Sequence, residues 1–219
     1  MREGDDMIPV ERLDALDRAI EHGQVLRHEW ALLGHISPEA AAAKDPFACP
    51  AETLDAWFAQ LLLFIDDRCS LERRYEFLRR VAVVLRQWDS LPSEVRSRLD
   101  YECRAIAVRE ARQHIPASEE PSLAALDVVL ALLDRASTSG EISEQEWLAA
   151  GRAAWWPWLA ASFAKEWAAV GATTWAARAT GRAAAAARAS EEAAASADRM
   201  IDAMLTAMER ECAKVAAGR

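Results

Sequence analysis

The sequence predicts an all-α protein, a single-domain bundle of seven or eight helices with a long alanine-rich C-terminal helix. Glycine and proline are sparse, 8 of each in 219 residues, and stand at intervals that read as helix punctuation. β-formers never alternate with polar residues over a strand-length run, and alanine dominates the second half of the chain.

The elements follow in order. Pro9 suits a first helical turn, and Leu13, Leu16, Ile20, Leu26, Trp30 and Leu33 continue at helical spacing to a stop at Gly34. Ser37-Pro38-Glu39 is a cap followed by proline and starts a short helix that Asp45-Pro46 ends. Pro50 opens the next helix, whose apolar face holds Leu54, Trp57, Phe58, Leu61, Leu62 and Ile65. Ser70 caps a helix that Leu91-Pro92 breaks, and Ser93 caps one that runs to Ile115-Pro116. A short turn makes these two an expected antiparallel pair. Pro121-Ser122 begins a helix ended by residues 137–140, and Ser143 with Glu146 forms a capping box before an apolar run. From there a helical pattern continues almost to the C-terminus, with Pro157 as a kink and more than half of residues 176–197 alanine. Small side chains let helices approach closely, so this tract is expected to be packed.

An apolar fraction of 52% is enough for a core without metal or disulfide. The expected organisation is one helical domain over residues 1–219, with residues 1–69 as a candidate N-terminal helical subdomain. The formal charge of −9 lacks the positive field that a phosphate backbone needs, so nucleic acid is excluded as the expected partner. Residues 141–219 hold 9 basic and 10 acidic side chains, so the acidity is concentrated in residues 1–140. No apolar leader follows Met1, and the most apolar window, residues 153–164, falls well short of the roughly 20 residues of a membrane span. The expectation is a cytoplasmic protein with no membrane span.

Cys49, Cys69, Cys103 and Cys212 are widely separated, with no CxxC and no histidine at ligand spacing, so buried thiols and no metal are expected. Glu110 and His114 lie four apart but lack the paired Glu-x-x-His of di-iron bundles. Asp66-Asp67 resembles an aspartate-rich metal motif, yet capping and solvation at a helix junction explain it more simply. No phosphate loop, nucleophile elbow or Cys/His nucleophile pattern occurs, so no catalytic residue and no cofactor are assigned. Six of the nine tryptophans fall between Trp147 and Trp175, and the pairs Trp147/Trp158 and Trp156/Trp167 are eleven apart on nearly one helical face. They read first as bulk opposite alanine, and second as a ligand pocket lined by Trp155, Trp158, Trp167 and Trp175.

The run from LERRYEFLRRVAVVLRQW through REARQHIP, ALDVVLALLDRAS and GEISEQEWLAA into WAARATGRAAAAARASEEAAA resembles the alanine-rich immunity protein family of bacteria, over about residues 70–205. The stretch FACPAETLDAW is also similar to the beginning of that family, with altered spacing. The resemblance implies a cytoplasmic protein that binds and neutralises a toxin. Combined with the charge asymmetry, it points to a basic toxin as partner, with Asp55, Asp66, Asp67 and Glu72 as candidate contacts and Trp57 as anchor. An enzyme with a dispersed site would instead draw Asp100, Glu102, Glu110 and His114 into one cavity.

Overall fold

Every regular element in the computed structural model is helical among the described residues, which are 8–23, 31–50, 53–113, 117–118, 120–139, 142–153 and 191–218. The order is α1 (Val10–Glu21), α2 (Ala31–Ile36), α3 (Pro38–Ala43), a 3-10 turn (Pro46–Ala48), α4 (Ala56–Arg68), α5 (Leu71–Trp88), α6 (Ser93–Gln113), α7 (Glu120–Ser139), α8 (Glu144–Ala153) and α9 (Glu191–Ala217). The alanine tract at 176–190 and the tryptophans from Trp155 to Trp175 lie outside the described residues.

Local capping accounts for several boundaries. The Ser37 hydroxyl accepts from Ala40 N at 3.2 Å, and the Ser70 hydroxyl accepts from Arg73 N at 3.3 Å. The capping box is reciprocal: Ser143 N donates to Glu146 Oε2 at 2.9 Å, and Glu146 N donates to Ser143 Oγ at 3.3 Å. Ile142, just ahead of the cap, packs on the same core cluster as Trp147, as in a hydrophobic staple.

The first helix departs from expectation. It ends at Glu21 instead of running to Gly34, which lies inside α2. Gly23 supplies the stop: its φ of 68° is left-handed, and its N–H donates to Ile20 O at 3.2 Å. α4 also starts later than Pro50 suggests, because Thr53 N and Leu54 N turn back onto Pro50 O and the helix begins at Ala56. A Cβ at position 23 would stand 2.9 Å from the Tyr75 hydroxyl oxygen. Gly23→Ala is therefore expected to destabilise by about 1–2 kcal/mol from the left-handed backbone alone. Chemical denaturation checks this, and the penalty should fall in a Tyr75→Phe background; an equal penalty there would remove Tyr75 from the explanation.

The chain forms two compact units, residues 1–92 with 197–219, and residues 93–196. Residues on both sides of position 69 share the first unit. There α1 packs along α5 and against α2, and α2 contacts α3 and α4. Leu16, Leu32, Leu33, Ile36, Phe58, Leu62, Ile65, Phe77 and Val81 are fully buried. Residues 197–217 of α9 carry a buried stripe of Met200, Ile201, Met204, Leu205 and Met208. In the second unit α6 pairs with α7, and α7 with α8. α5 and α6, the expected pair, fall in different units. The second core joins Ala105, Val108, Leu126, Val129, Leu133 and Ala136 to Trp147, whose ring stacks on Tyr101 at 5.8 Å.

Candidate functional site

α1 presents carboxylates along one face. Glu11, Asp14, Asp17 and Glu21 are three, three and four residues apart, while Leu13, Leu16, Ala19 and Ile20 turn into the core. Arg86 of α5 bridges this face to the next helix, donating through Nη2 to Asp14 at 2.9 Å and to Asp17. Glu11 and Glu21 at its ends are exposed. The acidic spacing of α1 is readable in the sequence, yet the expected contacts lay at residues 55–72.

The residues singled out from sequence separate. Asp66 is a correction: its side chain is 1% exposed, so it is not a surface contact. Its Oδ2 accepts from Leu32 N at 2.9 Å at the start of α2, and its Oδ1 accepts from Arg74 Nη2 at 2.9 Å on α5. Neither capping of its own helix nor solvation describes it; it ties three helices together. Burial pushes its carboxyl above the ordinary aspartate value, against the pull of the Leu32 N–H and Arg74. Asp55 is half-buried at the start of α4 and accepts from the Trp88 indole at 3.2 Å. Trp57, also half-buried, stacks on Phe58 at 5.5 Å and meets Trp88 at 5.7 Å. Glu72 is exposed in the first turn of α5. Asp67 lies near the end of α4, and its side chain is outside the described set. Trp155, Trp158, Trp167 and Trp175 lie outside the described residues altogether.

A polar seam fastens α9 to α5. Arg80 donates to Asp202 and Thr206 and grips Glu209 through Nε and Nη2 at 2.8 and 2.9 Å. Arg73 reaches Glu76 and Asp202 while lying 4.5 Å from the Phe77 ring centroid. Ser70 N donates to Asp198 at 2.9 Å. Ser70, the cap of α5, and Arg73, Phe77 and Arg80 within it recur at helical spacing, as do Asp198, Asp202, Thr206 and Glu209 on α9.

The acid groups considered for an enzyme have structural partners where described. Arg104 clamps Asp100 one turn away, and Glu110 is buried and accepts from Ser196 Oγ at 2.6 Å. His114 lies outside the described residues. Cys49, Cys103 and Cys212 are buried and Cys69 is half-buried. Burial pushes the Cys69 and Cys212 thiols up to about 11. Among the described residues no group of three or more His, Cys, Asp and Glu is placed to hold a metal ion, and no helix is long and apolar enough to cross a membrane.

Burial on α2 lowers the affinity of the His35 imidazole for a proton. The folded state then binds fewer protons than the unfolded chain, so this group's stabilising contribution is present above the ordinary histidine range and is lost as pH falls through it. Thermal melts from pH 7.5 to 5 should show a decline that His35→Gln reduces; parallel profiles would reject the assignment. Comparison with known proteins finds no matching family model, no matching curated protein and no matching solved structure.

Proposed function

We propose that this chain is a non-catalytic protein-binding protein, an immunity protein that neutralises a basic toxin through the acidic surface of its first unit. The carboxylate face of α1 is the observation that carries this reading. The first unit has 21 acidic and 15 basic side chains, against 14 and 11 in the second. Glu11 and Glu21 are exposed at the two ends of the face, with Asp14 and Asp17 between them. A surface of this sign accelerates encounter with a basic partner and repels acidic ones, and its effect weakens as salt screens it. Arg86 neutralises part of the centre of the face, which places the weight on the two exposed glutamates. Glu72 and the half-exposed Trp57 remain candidate contacts, whereas buried Asp66 is withdrawn. The resemblance of residues 70–205 to alanine-rich bacterial immunity proteins supports the toxin as the class of partner.

The test is a growth assay with the product of the gene immediately upstream. Expression of that product should arrest growth, and co-expression of this chain should restore it. In a binding assay with the purified pair, Glu11→Lys/Glu21→Lys should slow association at least tenfold at low salt and leave the melting temperature nearly unchanged, since both side chains are exposed. A double variant that binds and protects like the parent would end the assignment of this face. An upstream product that is harmless to growth would end the immunity reading.

A further inference from the structure

We draw no further inference here: the strongest candidate, the buried Asp66–Arg74 cluster beside Cys69 at the α4–α5 junction of the first unit, carries nothing, because both Asp66 oxygens are already taken by Leu32 and Arg74 and a lone half-buried cysteine has no second observation pointing to a ligand.

Discussion

Removal of residues 197–219 is expected to unfold the first unit while the second stays folded. The segment belongs to the first unit by its contacts, although unit two intervenes in the sequence. Met200, Ile201, Met204, Leu205 and Met208 are all at most 7% exposed. Burying side chains of this size contributes about 1.5–3 kcal/mol each, so the stripe represents on the order of 10 kcal/mol. That is comparable to the entire stability of an ordinary domain, about 5–15 kcal/mol. The deletion also strips Arg80, whose side chain is 18% exposed, of Asp202, Thr206 and Glu209. Hydrogen exchange read by mass spectrometry separates the units. Peptides from α1, α4 and α5 should lose protection in a chain ending at Ser196, and peptides from α6 and α7 should keep theirs. Protection of α1 and α5 unchanged from the full chain would show that the first unit is complete without α9.

Asp66→Ala should destabilise the first unit by about 3–5 kcal/mol, because it leaves the Arg74 guanidinium buried without its counter-charge. It also removes the acceptor of Leu32 N at the start of α2. Arg74 has little reserve: its side chain is 10% exposed, and its Nε already lacks a hydrogen-bond partner. The buried pair need not be stabilising in itself, since desolvation already outweighs the attractions felt by Asp66. Replacing both partners by apolar residues, Asp66→Leu with Arg74→Met, should therefore cost clearly less than Asp66→Ala alone. The lost acceptor of Leu32 N keeps that cost above zero. Urea denaturation of the two single variants and the double variant measures the coupling. Strictly additive losses would mean that the two side chains do not depend on each other.

The all-α class and several helix starts were legible in the sequence, because the interactions responsible span three residues. Ser37 with Ala40, Ser70 with Arg73 and Ser143 with Glu146 are local hydrogen bonds that any reader of the chain can place. The apolar stripe of α9 was equally legible, since Met200, Ile201, Met204, Leu205 and Met208 recur on one helical face. Placing the first stop at Gly34 failed for a different reason. Either glycine can take a positive φ, and the fold places Gly23 there, against Tyr75, which is 52 positions away in the chain. Asp66 read as a surface acid because its partners are Leu32, 34 residues away, and Arg74 on the next helix. Burial of a charge depends on such distant groups, and no local pattern announces them. The pairing of α6 with α7, and the return of residues 197–219 to the first unit, were likewise decided only by tertiary structure. An amphipathic face states that a helix must be covered, while the choice of covering helix depends on shape and charge matching between segments far apart in sequence.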